Sequence, residues 1–216
     1  MAYQATTKTE ANKANKRKKI IEATQKRIRE AGFAGVSMVN IAKEAGVATG
    51  TLYRYFPSKQ ALCTEVFRIY TEIEVSLIHS LATEPNKNPA QKLIAAIEAF
   101  SRRAIKSRHL AWSLIAEPLD PALEAERLHY RTSYATIYTR LIEEGIEQHQ
   151  FYPQISSVSA AAIVGALAES LVGPLSVLAQ HREQTKNTSN KTIDHEQLIQ
   201  NITRFCLSAV GYRAGC

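Results

Sequence analysis

Four residues in the first quarter of the chain restrict its fold more than any other sequence feature: Ala42, Gly46, Val47 and Leu52. They stand at the intervals required by two short helices that are joined by a tight turn. The small residue at position 42 lets the helices approach, and the glycine at 46 permits a left-handed turn. Burial of Leu52 and Phe56 leaves the start of the second helix projecting outward. The spacing therefore predicts a helix-turn-helix, whose second helix can enter a DNA major groove.

The second helix of this motif leaves six residues near its surface: Thr49, Gly50, Thr51, Tyr53, Arg54 and Tyr55. Their groups can hydrogen-bond phosphates and base edges or contact thymine methyls. The alternative is that Tyr53 and Tyr55 only pad the core of the domain. Because the six residues occur together in a basic region, we expect them to contact DNA.

Positive charge is concentrated around this motif. Residues 1–60 contain twelve Lys and Arg against four Glu, whereas residues 61–216 contain fifteen basic and sixteen acidic residues. The excess includes Lys26, Lys43, Arg54 and Lys59, which lie in segments that are predicted to fold. Such asymmetry favours a polyanionic partner, either nucleic acid or an anionic membrane.

Helix-forming patterns dominate the chain and strand signatures are absent, so the sequence predicts an all-α protein. Residues 1–14 are polar and show no periodicity, so we expect them to be disordered. Ser37, Ser58, Asn88 and Asp120 precede helical patterns as N-caps. Helices are predicted over residues 15–31, 38–45, 49–56, 59–83, 89–107, 109–116, 121–148, 156–180 and 194–210, with a polar loop over residues 181–192.

The stretch GFAGVSMVNIAKEAGVATGTLYRYFPSKQAL resembles the N-terminal DNA-binding domain of the TetR family of bacterial transcriptional regulators. The likeness covers roughly residues 17–63. It implies a three-helix DNA-binding domain over residues 15–60 and a larger helical ligand-binding and dimerisation domain over residues 61–216. It places Thr49, Gly50, Thr51, Tyr53 and Tyr55 at DNA-facing positions. It also places Lys59 at a phosphate-contacting position and Ser37 where the cap of the second helix approaches the DNA backbone.

Two parts of the motif depart from the family pattern. Ala48 stands where the family often has serine, and alanine cannot cap a helix, so Thr49 becomes the candidate N-cap of the second helix. Lys26 and Arg27 occupy positions where apolar residues are common, which makes the first helix more polar than usual.

The C-terminal region indicates an effector site through its aromatic residues. Tyr130, Tyr134 and Tyr138 recur at helical spacing, although a stripe of rings is also typical of a plain core. Glu169 lies in an apolar run, and we expect a buried ion pair between it and Arg127 or Arg131. The predicted ligand-binding residues are Phe100, Trp112, Ile115, Tyr130, Arg131, Tyr134, Tyr138 and Glu169.

The helix over residues 156–180 is rich in small residues, and a single subunit would leave much of that surface in water. The family resemblance implies that approximately residues 156–181 and 194–212 pair with a second subunit in a four-helix bundle. The run from Val158 to Ala179 is also apolar enough to span a membrane. Glu169 and the Gly173-Pro174 pair favour a buried helix of a soluble protein instead, and no membrane partner is expected.

The remaining motifs give little support to catalysis or metal binding. Cys63, Cys206 and Cys216 are far apart, which favours reduced thiols in a cytoplasmic protein without a metal or cofactor. Glu126 and His129 have the spacing of a di-iron pair, but the chain has no second such pair. We therefore interpret the chain as a homodimeric repressor that a small apolar or aromatic effector releases from operator DNA. An all-helical enzyme and a basic membrane-surface protein are the alternatives.

Overall fold

A computed structural model describes residues 2–176 and 194–212, with side chains from Thr9 onward. These residues form nine α-helices and no strand, which confirms the all-α prediction. The predicted loop over residues 181–192 lies outside the described residues. The helices are α1 (Ala2–Ala31), α2 (Met38–Glu44), α3 (Thr49–Tyr55), α4 (Lys59–Ala82), α5 (Pro89–Lys106), α6 (Arg108–Ile115), α7 (Pro121–Glu147), α8 (Ser156–Leu175) and α9 (His195–Ala209).

The chain divides into two compact units. The first unit contains Met1–Ile69 and Glu117–Glu126, and the second contains Tyr70–Ala116 and Arg127–Cys216. The structural division therefore differs from the predicted boundary after residue 60. The start of α4 belongs to the first unit because its apolar side chains are buried there, as in the case of Phe67. The segment between α6 and α7 joins the first unit as well.

Helix α1 begins at Ala2, whereas residues 1–14 were predicted to be disordered. This segment contains neither glycine nor proline, and six of the thirteen residues 2–14 are Ala or Lys, which have high helix propensity. Residues 9–19 are exposed, and burial begins at Ile20. Between residues 9 and 19 the helix therefore forms without burying a side chain, which explains why this stretch shows no hydrophobic periodicity.

Two glycines in the left-handed region form the turns of the first unit. Gly32 has φ of 67° and ends α1, and its N–H donates to the carbonyl of Ile28 at 2.9 Å. Gly46 has φ of 66°, and the next amide, that of Val47, donates to the carbonyl of Ala42 at 3.0 Å. The predicted left-handed turn between α2 and α3 is thus confirmed.

Three predicted N-caps form the expected hydrogen bonds. The hydroxyl of Ser58 accepts from the Ala61 N–H at 3.0 Å, and Asn88 forms a reciprocal capping box with Gln91. The carboxylate of Asp120 accepts from two backbone N–H groups in the first turn of α7. These caps satisfy N–H groups that have no partner within the helix.

Two other caps differ from the prediction. Ser37 precedes α2 with an extended backbone, but its hydroxyl makes no capping hydrogen bond. The N-cap of α3 is Ala48, and Thr49 is the first residue of the helix, so the expectation that Thr49 caps α3 is wrong. Helix α3 starts without a side-chain cap because the buried residues behind it, and not local capping, position it.

The second unit has one apolar core. Its central side chains include Tyr138 and Ile142 of α7, Ile97 of α5 and Leu171 of α8, all of which are almost fully buried. Helix α9 packs against α5 and α8, and α6 packs against the same two helices. An ion pair between Lys92 and Glu144, 2.9 Å apart, joins α5 to α7 at the edge of this core.

Replacing Gly46 by alanine should lower the free energy of unfolding by about 1–2 kcal/mol, because an L-residue pays this cost in the left-handed conformation. A Cβ at Gly46 would meet no atom within 4 Å, so the backbone alone produces the effect. Gly50 is the matched control. It lies within α3 in equally open space, so alanine there should be neutral or stabilising by about 0.5–1 kcal/mol. Urea denaturation measures both values, and equal losses would contradict this account.

Candidate functional site

Two apolar side chains hold α3 in the first unit. Leu52 is fully buried, and Phe56, the residue that ends the helix, is 4% exposed. The guanidinium of Arg17 on α1 lies over the Phe56 ring, 5.4 Å from its centroid. The prediction that Leu52 and Phe56 face the core is confirmed. Because these two residues lie four positions apart, they bury a single face of α3 and leave the other face in solvent.

The structure brings the six predicted DNA-facing residues of α3 together on this solvent side. Gly50, Tyr53 and Arg54 are exposed, whereas Thr49, Thr51 and Tyr55 are half-buried. Tyr53 is 47% exposed, so it does not pad the core. Arg54 Nη2 donates to Thr51 Oγ1 at 3.4 Å and orients the guanidinium along the helix. The result is a surface of hydroxyl, aromatic and guanidinium groups.

The two remaining predicted DNA contacts lie at the starts of helices. Ser37 precedes α2 and is half-buried. Lys59 begins α4 and is exposed, and its Nζ donates to the backbone carbonyl of Ala34 at 3.2 Å. An ammonium group has three N–H donors, so Lys59 can contact a phosphate while keeping this bond.

The first unit keeps a positive surface after its ion pairs are counted. Arg17 pairs with Glu65 on α4, and Lys18 lies 3.8 Å from Glu22 on α1. The exposed lysines of the first unit that form no ion pair among the described residues are Lys13, Lys16, Lys19, Lys43 and Lys59. Unpaired cations of this kind attract a polyanion in a salt-dependent way.

The polar residues that distinguish α1 from the family pattern have structural partners. Lys26 Nζ donates to Glu44 Oε1 of α2 at 2.6 Å, and this hydrogen bond raises the pKa of Lys26. Arg27 Nε donates to the carbonyl of Gly35 at 3.0 Å. Polar contacts of these two residues therefore join α1 to α2 and to the turn between them. Apolar residues are common at these positions in the family pattern.

Glu117 was not among the residues predicted from the sequence to take part in the site. It is 4% exposed, and its carboxylate accepts hydrogen bonds from the backbone N–H groups of Phe33 at 3.1 Å and Ala34 at 2.9 Å. Its position in the chain, just after α6, gives no sign that it lies in the first unit. The available signal was a carboxylate within the apolar run LIAEPL, because a buried carboxylate requires partners.

The predicted effector residues of the second unit have different degrees of burial. Phe100 and Tyr134 pack edge to face with ring centroids 5.9 Å apart, and both are half-buried, as are Trp112 and Ile115. Tyr138 is 1% exposed and belongs to the core. Burial raises the pKa of both Tyr134 and Tyr138, so their hydroxyls stay neutral.

Two predicted effector residues and the predicted buried ion pair differ from the structure. Arg131 and Glu169 are both exposed in the single chain. Arg127 donates to the backbone carbonyls of Leu114 at 2.9 Å and Ser113 at 3.3 Å. The expectation of a buried pair between Glu169 and either arginine is therefore wrong. Ala161, Ala162 and Gly165 of α8 are exposed as well, so part of this helix is not covered by the rest of the unit.

Buried polar atoms without partners were also missed from the sequence. Within the described residues, the buried atoms that make no hydrogen bond include the hydroxyls of Ser101, Ser113 and Thr203 and the Nε2 atom of His109. The atoms of Ser101, His109 and Ser113 lie on α5 and α6, whereas Thr203 lies on α9. Such atoms are costly unless water or a ligand satisfies them. They are candidates for the polar contacts of an effector.

The structure favours neither reactive thiols nor a metal centre in the residues it describes. Burial raises the pKa of the Cys63 thiol to about 12 and that of Cys206 to about 11. Cys216 lies outside the described residues. Among those residues, no cluster of three or more His, Cys, Asp or Glu could hold a metal ion. The carboxylate of Glu126 pairs with Arg68, and the ring of His129 packs on Tyr130.

An open groove of about 390 Å³ runs between α5 and α9. Its lining includes Ile94, Glu98, Thr203, Arg204 and Tyr212, and it contains none of the predicted effector residues. The groove and the ring-bearing part of the second unit are therefore separate features.

Both units match known proteins. Residues 20–66 match the family model of the tetR family of bacterial regulatory proteins, and residues 86–171 match the model of Tetracyclin repressor-like C-terminal domains. The HTH-type transcriptional repressor KstR2 of Rhodococcus jostii is 24% identical over 157 residues, which cover 67% of this chain and 72% of that protein. The repressor KstR of Mycobacterium tuberculosis is 41% identical over 88 residues, but these span only 39% of that protein.

A solved structure has the same fold. The transcriptional regulator FadR of Bacillus subtilis, in complex with stearoyl-CoA, superposes with a TM-score of 0.68 over 89% of this chain and 98% of its own. The two sequences are 21% identical.

Replacing Ser113 by alanine should stabilise the protein, because it removes a buried hydroxyl that has no partner, at a gain of about 1 kcal/mol or more. Ser80 is the matched control, since its hydroxyl is exposed and bonded to the carbonyl of Leu77, so alanine there should change little. Thermal melts of both variants measure the effect. A lower melting temperature for Ser113→Ala would show that the hydroxyl supports the fold and is not kept for a ligand.

Proposed function

The chain belongs to the TetR family of bacterial regulatory proteins and is a ligand-responsive DNA-binding transcriptional regulator, and we propose that it acts as a repressor. The observation that carries this proposal is the surface of α3, where donor-bearing side chains face solvent opposite the buried Leu52 and Phe56. A cytoplasmic location follows, as is general for DNA-binding regulators of this family.

The proposed DNA contacts fall into two classes. Lys59 and Ser37 lie at helix starts and would bind phosphates, which position the protein without reading sequence. Thr51, Tyr53 and Tyr55 lie on α3 and would contact base edges or thymine methyls in the major groove. The unpaired lysines of α1 would add affinity for any duplex.

Random duplexes retained by the purified protein test this assignment. Lys59→Ala should weaken binding to all duplexes alike and reduce the slope of log affinity against log salt by about one per subunit. Thr51→Ala should change which duplexes are selected, by about 1–3 kcal/mol if a base contact is lost. A changed sequence preference with Lys59→Ala alone would reverse the two roles.

A reporter gene placed behind the selected duplex completes the experiment. Lower transcription in the presence of the protein supports repression, and higher transcription would identify an activator. The retained duplexes are identified by sequencing, which requires no knowledge of the effector.

We propose that the uncovered faces of α8 and α9 form a homodimer interface. Helix α8 (Ser156–Leu175) is long and apolar enough to cross a membrane by composition, and 28% of its apolar window is buried in the single chain. Val158 is 62% exposed on α8, and Phe205 is 61% exposed on α9. Ala161, Ala162 and Gly165 are also exposed on α8. Small residues on such a face allow close approach of a partner helix, and the exposed area indicates an interaction site.

A dimer also fits the DNA-binding unit. One short recognition helix offers limited affinity, and two heads related by a two-fold axis would read two half-sites about one DNA turn or a multiple of it apart. An effector that changes the separation of the heads would then lower operator affinity.

Ala162→Arg should separate the subunits without unfolding them, because Ala162 is exposed in the single chain and a charge would be buried only in the interface. Thr136→Arg, on the exposed side of α7, is the control for a new surface arginine. Sedimentation at micromolar concentration should give a dimer for the native protein and the control, and a monomer for Ala162→Arg. A native monomer would refute the interface.

We propose that the effector is mostly apolar and binds among the half-buried rings of the second unit, Phe100, Trp112 and Tyr134. Pockets of this kind combine apolar walls with a few placed polar groups, and the unpartnered atoms of Ser101, His109 and Ser113 would supply them. The FadR protein that shares this fold is in complex with stearoyl-CoA, whose acyl chain is apolar. Stearoyl-CoA is therefore a reasonable first probe, with Trp112 fluorescence as the readout.

A further inference from the structure

By its contacts, the segment Glu117–Glu126 belongs to the first unit. Along the chain, it lies between two parts of the second unit. It follows α6 and includes the first residues of α7, and the rest of both helices belongs to the second unit. Only Ala116 separates Glu117 from the last residue of α6. A displacement of the end of α6 would therefore act on Glu117 through one intervening residue.

Glu117 is held by a closely fitted cradle in the first unit. Its two carboxylate oxygens accept hydrogen bonds from the N–H groups of Phe33 and Ala34. Hydrogen bonds to an ionised acceptor are stronger than neutral ones. Gly32 makes room for the carboxylate, because a Cβ at this position would lie 2.6 Å from Glu117 Oε2. The left-handed φ of Gly32 also turns the following N–H groups toward the carboxylate.

The cradle is tied to the DNA-contacting residues. Ala34 donates its N–H to Glu117, and its carbonyl accepts from Lys59 Nζ. The same short loop ends at Ser37, which immediately precedes α2. Glu117 therefore fixes the loop that binds Lys59 and ends at Ser37, the two proposed phosphate contacts.

Two further carboxylates attach the same segment to α4. Asp120 Oδ1 accepts from Gln60 Nε2 at 3.0 Å, and Glu126 pairs with Arg68. Burial opposes the charge of Asp120, but the hydrogen bonds from Gln60 and from two backbone N–H groups outweigh it and lower its pKa. Gln60 adjoins Lys59, so a second carboxylate of the segment acts on the start of α4.

We propose that Glu117 is the positioning residue through which effector occupancy reaches the DNA-contacting surface, an inference that rests on the proposed roles of the two units. In the DNA-binding state the carboxylate holds the loop of residues 32–36 and, through Ala34, the ammonium of Lys59. An effector that displaces α6 withdraws the carboxylate from its two donors. The loop and Lys59 then lose a common anchor, and operator affinity falls.

Linkage allows this proposal to be tested on the full-length protein without knowing the effector, with the selected operator duplex as the probe. If α6 influences the DNA contacts, DNA must influence α6 to the same extent. Trp112 lies on α6 and is the only tryptophan of the chain, so its emission reports on this helix. In the native protein, operator binding should change that emission.

Three variants separate coupling from a structural role. Glu117→Gln keeps the shape but replaces one acceptor by an NH₂ group, which cannot pair with an N–H donor. Gly32→Ala keeps the carboxylate, crowds its cradle and strains the left-handed backbone at this position. Glu143→Gln removes one negative charge at an exposed position on α7 and is the control.

Glu117→Gln and Gly32→Ala should bind the operator roughly 5- to 150-fold more weakly, which is the usual range of such coupling. In both variants, saturating operator should leave the Trp112 emission as it is without operator. Glu143→Gln should match the native protein in both measurements. A purely structural role would lower the melting temperature and weaken binding, yet leave the Trp112 response at saturation intact.

A native-sized Trp112 response in Glu117→Gln at saturating operator would overturn the proposal, as would the absence of any response in the native protein. If Glu117→Gln fails to fold, Gly32→Ala gives the same comparison. Failure of the native protein to select any duplex would remove the proposed function and this inference together. Normal operator binding with normal responses in both cradle variants would remove this inference alone.

Discussion

Burial of Leu52 and Phe56 is the interaction on which the proposed DNA-contacting surface depends. These two side chains occupy the apolar interior of the first unit, and no side-chain cap or salt bridge is needed to orient the short helix that carries them. Their burial decides which face of α3 remains in solvent. The surface of Tyr53, Arg54 and Thr51 is thus a consequence of packing, which explains how a helix of seven residues can present a defined set of groups.

Polar contacts give the first unit its internal geometry around that apolar centre. Lys26 and Arg27 join α1 to α2 and its turn, and Glu117 closes the turn after α1 by accepting two backbone hydrogen bonds. Because Lys59 binds the same turn, a proposed phosphate contact and a buried carboxylate share one anchor. A compact network of this kind couples positions that are distant in sequence, since each bond restricts the next group.

The second unit shows two features that its own fold does not satisfy. Its α8 helix leaves small apolar residues in water, and buried atoms of Ser101, His109 and Ser113 have no hydrogen-bond partner within the described residues. An uncovered apolar face and unmet buried polar groups both cost stability in an isolated chain. A second subunit and an effector would remove these two costs, which is consistent with a regulator that is complete only when it is assembled and can bind a ligand.

The sequence alone determined the features that depend on neighbouring residues: the helices, the caps at Ser58, Asn88 and Asp120, the left-handed turn at Gly46 and the exposed face of α3. Such features follow from backbone geometry and local periodicity, which are readable in short windows. Only the tertiary structure showed that Glu117 lies in the DNA-binding unit, that Lys59 bonds to Ala34 and that Glu169 is exposed. These facts depend on which distant segments meet, and a residue's type does not encode its distant partner. The difference over residues 2–14 has another cause. Hydrophobic periodicity reports contact with the core, whereas a segment of high helix propensity can be helical without such contact.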